Sequence, residues 1–447
     1  MLKKNAVWFT ASITVVSMLT GCAGNGNESA AKPPAEEQVK PVPQEPITLK
    51  IASARTKENF EQYIRPVKEK YPNVTLQQMS QYKFNAEVIQ SMVAAGDIPD
   101  IIDEALTNTP LLLELDLPMD LEPLVKKLKV DMASIDESVL KSVRSYTDNG
   151  RLFYMPTNLN PPMVLFYNKD IFDKFGVPYP KDNSTWEELI ELAQKVTRTE
   201  NGVNYRGLTA GTALNRTQTQ LSLPFVDRAT GKSLVGTNPG WKKLFETWKA
   251  IYDIPGNYPQ GAHFGKGVDD FLKTKNLAMF PHFLFLAEDA AFAEAVKGGL
   301  NWGVTTFPVF KDNPGVGVGG IAGGFMITKA SKNPEVAFQV MMALLSDEGQ
   351  TLLSKQGDIT SVTKPEIRGK IFENSTVVKP LVPKETLANI LKIQEPAPYA
   401  RTKHDAVATT IATNYLTQYF TGKLDLNTAL RKADEDINKK IEEEGKK

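Results

Sequence analysis

Cysteine is nearly absent from this chain. Cys22 is the single thiol in 447 residues, so an intrachain disulfide framework is excluded. Histidine is scarce as well: His263, His282 and His404 stand far apart, without the close spacing a histidine metal centre uses, and no metal is expected. An excess of either charge is also missing, because Lys+Arg and Asp+Glu both number 52. A nucleic acid or an anionic membrane surface as main partner usually demands a basic excess, so neither is expected. The sequence contains no P-loop signature, no nucleophile elbow and no repeat of fixed period, and nothing in it calls for a cofactor. What remains is an ordinary globular composition, 41% hydrophobic and 23% charged, in a chain long enough for two or three domains with sizeable cores.

The N-terminus explains where the one thiol stands. Lys3-Lys4 is followed by a mostly apolar run from Ala6 to Leu19, the pattern of a secretory signal. The run is too short for a comfortable membrane span, which needs about 20 apolar residues. It ends in Leu19-Thr20-Gly21-Cys22, which resembles the bacterial lipobox. That resemblance implies cleavage before Cys22, diacylglycerol attachment to its sulfur, and a mature protein anchored by lipid to the outer face of the cell membrane or in the periplasm. Residues 1–21 are then the signal peptide. Residues 22–46 carry Lys32-Pro33-Pro34 and Pro41-Val42-Pro43 with no aromatics. Such a segment cannot bury enough apolar surface to fold and reads as a tether, about 70–80 Å at full extension.

Beyond it, strand and helix patterns alternate. Ile47–Ala52, Val74–Gln78 and Ile98–Ile102 read as strands, separated by helical stretches at Glu58–Glu69, with a kink at Pro66, and Phe84–Ala95. Alternation of this kind implies βαβ units and a mostly parallel sheet, an α/β fold. Thr185-Trp186-Glu187-Glu188 has the form of a capping box, and Asn333-Pro334 that of a helix start. Short strands are expected at Leu277–Phe280 and Trp302–Phe307, and a mixed-charge helix at Asn427–Glu444. The run Gly317–Gly324 precedes a strand-like Phe325–Thr328 instead of a helix. It therefore reads as a crossover or a close backbone approach to ligand, not as a phosphate cradle.

Several segments in order resemble the carbohydrate-oriented extracellular solute-binding proteins of ABC importers, the family that includes maltose-binding protein. They are Ala94–Ile102, Phe166–Phe172, Ser184–Leu189, Trp302–Pro308 and the block from Gly317 to Gly349. The resemblance implies a two-lobed periplasmic-binding-protein-like fold of type II, with a ligand cleft between lobes and a hinge crossed three times. The crossings are expected near Asn160-Pro161-Pro162, Gly315–Gly320 and Ser375–Pro383. Residues 47–160 plus 320–375 would form the N-terminal lobe, and 165–317 plus 376–447 the C-terminal lobe. Implied partners are a small-molecule ligand, with carbohydrate first, and the transmembrane subunits of an ABC permease; the protein is expected to act as a monomer.

Sugar recognition uses flat aromatic faces for ring C–H surfaces and planar polar groups for hydroxyls. By position within the resemblance, the candidate ligand-binding residues are Arg55 after the first strand and Asp103 and Glu104 after the third. Asn158 and Asn160 stand at the hinge, although asparagine also suits turns. Phe225, His282, Phe283, Phe285, Tyr399 and Arg401 come from the second lobe. Asp103-Glu104 stands where maltose-binding relatives present an aromatic; a carboxylate there would bind hydroxyls bidentately or a cationic ligand, and Glu104 with Arg55 leaves open a polyamine, peptide or organic anion as ligand. An enzyme such as a glycosidase is not expected, because adjacent carboxylates on a strand point apart and no facing pair is supplied.

Overall fold

Thr48 and Lys50 are exposed while Leu49 and Ile51 are fully buried, and this alternation makes Ile47–Ser53 a strand with one face in a core. The computed structural model describes residues 42–79, 85–159, 163–211, 214–258, 267–318 and 321–445. Cys22, the signal segment, Asn160 with Pro161 and Pro162, His263 and Gly319-Gly320 lie outside the described residues. The strands are β1 (Ile47–Ser53), β2 (Val74–Gln78), β3 (Ile101–Ala105), β4 (Met155–Leu159), β5 (Met163–Asn168), β6 (Arg198–Glu200), β7 (Val203–Leu208), β8 (Leu277–Phe283), β9 (Trp302–Thr306), β10 (Ala322–Ile327) and β11 (Ile359–Thr360). They form two sheets, one per lobe, ordered β11-β4-β10-β3-β1-β2 and β6-β7-β8-β5-β9.

Both sheets are mixed, which corrects the expectation of a mostly parallel one. β1 pairs in parallel with β2 and β3, as βαβ connections require. β10 runs antiparallel to β3 and β4, and β11 antiparallel to β4. In the second lobe β5 is antiparallel to both β8 and β9, with β7 and β8 parallel. The antiparallel strands β4, β5, β9 and β10 flank the passages between lobes: β4 and β9 lead out of their sheets, and β5 and β10 enter theirs from the other lobe rather than through a helical crossover.

Local differences have local causes. The third strand begins at Ile101 instead of Ile98 and takes in Asp103 and Glu104, because Pro99 has no N–H for the ladder. The helix at Pro66 is two helices, Lys57–Tyr63 and Arg65–Lys70, interrupted at Ile64. The capping box is present: Glu188 N donates to Thr185 Oγ1 at 3.2 Å, and Thr185 N to a Glu188 carboxylate oxygen at 2.8 Å. The last residues of the expected tether are docked, not free. Val42 packs on the first lobe's core, and the Asn73 side-chain amide donates to the carbonyls of Pro43 and Glu45.

In the run read as a crossover or a close backbone approach to ligand, Gly323 and Gly324 lie against β4. A Cβ on Gly323 would stand 2.5 Å from Asn158 Oδ1, and one on Gly324 would stand 2.2 Å from the Met155 carbonyl oxygen. Only glycine lets β10 lie so close beside a bulged partner strand.

The first lobe's core draws on residues between Leu49 and Leu159 and between Ala322 and Leu353. The second lobe has two clusters. One is built around Trp186, Trp241 and Phe245 and closed by the helices Asp405–Phe420 and Leu426–Glu444. The other holds Phe166, Phe271 and Trp302 together with Phe372, Val378 and Ile390. The Phe372 side chain joins this cluster while its backbone N–H still donates to Ser354 O at 3.0 Å, as Asn374 N does to Lys355 O at 3.0 Å. The segment around Val316 is linked to the residues that follow the helix Lys384–Lys392: Gln394 N donates to Gly315 O at 2.9 Å and Gly317 N to Gln394 O at 3.1 Å.

Candidate ligand-binding cleft

The parallel strands β1 and β3 end side by side, and their last residues build a polar cluster. Asp103, 4% exposed, accepts from Ser53 Oγ at 2.6 Å and from Arg55 Nε and Nη2 at 2.8 and 3.4 Å. Both its oxygens are therefore spent within the protein. This corrects the expectation of bidentate binding to ligand hydroxyls. Arg55 lies 4.0 Å above the Tyr63 ring and keeps a third of its side chain open to solvent. Asp103 and Tyr63 hold its guanidinium more firmly protonated than usual, against the opposing effect of burial. Glu104 accepts from Ala105 N and Asn108 Nδ2, both at 2.9 Å. Asn158 is buried, accepts from Thr157 Oγ1 at 3.1 Å and favours the charged form of the Asp358 carboxyl. It supports the cluster instead of presenting an open face. Burial pushes the Asp358 carboxyl up to about 6, with Arg55 and Asn158 pulling the other way.

Between the lobes lies a cavity of about 810 Å³. Its first-lobe wall is the segment Leu106–Asn108 and the helix Glu137–Arg144, followed by Ser145 and Tyr146. Its second-lobe wall is Asn215, Arg216 and Thr219 on the helix Leu214–Gln220, and the segment from Glu395 to Thr409. A smaller cavity of about 250 Å³ shares Asp136, Ser138, Leu159 and Glu395 with it and reaches Asp358. The two spaces thus form one cleft running toward the polar cluster of the first lobe.

Tyr399 and Arg401 are brought to this cleft. Tyr399 Oη shares hydrogen bonds of 2.8 and 3.2 Å with the Gln218 amide, and the Arg401 guanidinium lies 4.7 Å from the centre of its ring. Arg401 also borders the cavity with Tyr146 of the opposite lobe and stands 4.0 Å from Asp405. Phe225 borders the cavity but is 1% exposed and packs on Trp241 at 4.7 Å between ring centres. It therefore has no open face for stacking, which corrects that expectation. His282, Phe283 and Phe285 form a separate aromatic group outside the cavity wall. The Phe283 and Phe285 rings stack at 5.4 Å and 14°, and burial lowers the pKa of His282. This group meets the cleft through Arg216, whose guanidinium lies 4.7 Å from the centre of the Phe283 ring.

Sequence reasoning missed the helix Leu214–Gln220 entirely. Its signal was a short run, Leu214-Asn215-Arg216-Thr217-Gln218-Thr219-Gln220, that is polar and yet largely buried. Asn215 Oδ1, Arg216 Nε and Asp405 Oδ2 are buried there without a hydrogen-bond partner among the described residues. Groups in that condition are costly unless something arrives to satisfy them.

The family model described as bacterial extracellular solute-binding protein matches residues 53–351, more than half of the chain. An sn-glycerol-3-phosphate-binding periplasmic protein of Agrobacterium fabrum is 27% identical over 187 residues, 39% of this chain and 40% of that protein. The chain thus aligns to about two-fifths of such a curated relative's length. The ABC substrate-binding protein of Listeria monocytogenes solved in complex with cycloalternan is 17% identical, with a TM-score of 0.67 over 88% of this chain and 98% of that one. The sugar-binding protein MalE of Xanthomonas citri is 17% identical, with a TM-score of 0.67 over 89% of this chain and 98% of that one. Their likeness is one of fold, two α/β lobes around a cleft. With that fold and the family match extending over both lobes, the chain belongs to the bacterial extracellular solute-binding proteins.

Proposed function

We propose that the chain is the solute-binding component of an ABC importer, capturing a carbohydrate of oligosaccharide size between its lobes and delivering it to the membrane permease. The observation that carries this reading is the interlobe cavity of about 810 Å³, where unsatisfied buried polar atoms stand beside the rings of Tyr146 and Tyr399. That volume lies within the roughly 300–1,000 Å³ of small-molecule sites. Hydroxyls need planar amide, guanidinium and carboxylate partners, and the less polar ring faces need aromatic neighbours; the cleft offers both. Ligand contacts made from both walls favour the closed arrangement, the only way binding can drive closure.

A thermal-shift screen of the full chain against oligosaccharides, polyamines and peptides tests this. A true ligand at about 100 times its Kd adds about 2.7 kcal/mol of stability. Stabilisation by an oligosaccharide that is recovered uncleaved supports the reading. Stabilisation by a polyamine or peptide alone, or turnover of the sugar, contradicts it.

Anchoring by a lipid on Cys22 belongs to the same proposal, and the segment from residue 22 to 41, outside the described part, would hold the monomeric binding unit at the membrane's outer face. Among the described residues no helix is long and apolar enough to cross a membrane. Cys22→Ser is expected to move the protein from the membrane fraction to the soluble fraction with ligand affinity unchanged. Retention in the membrane fraction would count against the anchor.

A further inference from the structure

The charges in the cleft do not balance at one point. Four carboxylates border the cavity, and each is engaged. Asp136 pairs with Arg368 at 2.8 Å and Glu137 with Lys141 at 2.9 Å. Asp405 accepts from Thr402 Oγ1 at 2.8 Å and faces Arg401 at 4.0 Å, and Glu395 has an interaction of its own. Among the described residues, none pairs with Arg216. Its guanidinium rests on the Phe283 ring at 4.7 Å, its Nε is buried without an acceptor, and the like charge of Arg401 acts on it. Burial and that neighbour both lower its pKa, the direction of a cation lacking a counterion.

A guanidinium held without a counter-charge is a cost that folding alone does not explain. Arginine is also the side chain whose fork matches a carboxylate or phosphate with two parallel hydrogen bonds. We infer that the solute captured in this cleft carries an anionic group, a carboxylate or a phosphate on a hydroxylated sugar-like frame, which seats against Arg216 with Arg401 as the second cation. The inference rests on the proposed carbohydrate-binding role of the same cleft and narrows it to acidic saccharides. The hydroxylated part of the ligand would lie toward Asn215, Ser142 and Tyr399, which border the same space.

The test is calorimetric titration of the full chain with trigalacturonate, with glucose 1-phosphate, and with the neutral sugars maltotriose and glucose. The acidic member of a pair is expected to bind about tenfold or more tightly than its neutral counterpart. Raised salt should weaken the acidic ligand and leave the neutral one nearly unaffected. Which acidic probe binds distinguishes a uronate from a phosphate ester. Arg216→Gln is expected to collapse the acidic-to-neutral affinity ratio toward one, and Arg216→Lys to retain part of it. A common melting temperature for the two variants separates loss of charge from loss of fold. Neutral sugars binding as tightly as acidic ones, or an unchanged ratio in Arg216→Gln, would overturn the inference while leaving sugar capture intact. Binding of no saccharide, neutral or acidic, would overturn both.

Discussion

At the residue scale, the polar cluster at the ends of β1 and β3 does two jobs with few groups. Asp103 accepts from Ser53 and Arg55 and so fixes the position of the Arg55 guanidinium. Asp358 is the strained member: burial pushes its carboxyl up to about 6, against about 3.9 in an unfolded chain. The folded state therefore holds this proton more tightly than the unfolded one. Its contribution to stability is complete below about pH 4 and is lost as pH rises through about 6. Asp358→Asn should accordingly match the parent near pH 4 and exceed it above pH 7 by roughly 1–2 kcal/mol, less than the full shift implies because the group is partly open to water. Denaturant melts at pH 4 and pH 8 check this; equal gains at both would refute the assignment. Tyr399 and Arg401 were reached from the sequence through the position of their loop within the family resemblance. Arg216 was not, because its significance is the absence of a partner, and a lack of partners exists only in three dimensions.

At the element scale, strand and helix positions followed from pattern wherever one face is buried and the other wet, as in Ile47–Ser53, Val74–Gln78 and the capped helix Trp186–Val196. Strand direction did not, since parallel and antiparallel strands share the same period of two and direction is set by which lobe the chain arrives from. The short helix Leu214–Gln220 was hidden for a related reason: Thr217, Gln218 and Gln220 are buried polar residues that give no hydrophobic stripe. β10 is the element under tightest steric constraint. Gly324→Ala would push a methyl into the Met155 carbonyl and the Tyr154 ring. A loss of roughly 1–3 kcal/mol in unfolding free energy is expected, the usual cost of overpacking. A neutral result in a urea melt would show that β4 and β10 lie further apart than described.

At the scale of the whole molecule, the lobes touch across the cleft through contacts independent of any ligand. Lys403 meets Glu114 at 2.6 Å, and Arg228 meets Asp148 at 3.4 Å. The two ion pairs are largely exposed and individually weak, so they bias closure without locking it. The double variant Lys403→Ala, Asp148→Ala should populate the open arrangement more and weaken ligand binding about two- to fivefold. Small-angle scattering would read this as a larger radius of gyration in the ligand-free double variant than in the ligand-free parent; equal radii would deny the bridges that role. The two-lobed plan was legible from ordered segments spread along the chain. The cleft's electrostatics were not, because residues near 140, 216 and 400 meet only after the chain has passed between lobes.

The central claim is capture of a saccharide between the two walls of this cleft, and a titration with one variant on each wall tests it most directly. Calorimetry of the parent, Tyr146→Ala and Tyr399→Ala with the saccharide identified by thermal shift should give saturable one-to-one binding to the parent. Each variant should bind about tenfold or more weakly while remaining folded, because losing either wall removes the contacts that favour closure. Binding unchanged in both variants would place the ligand elsewhere and contradict the account.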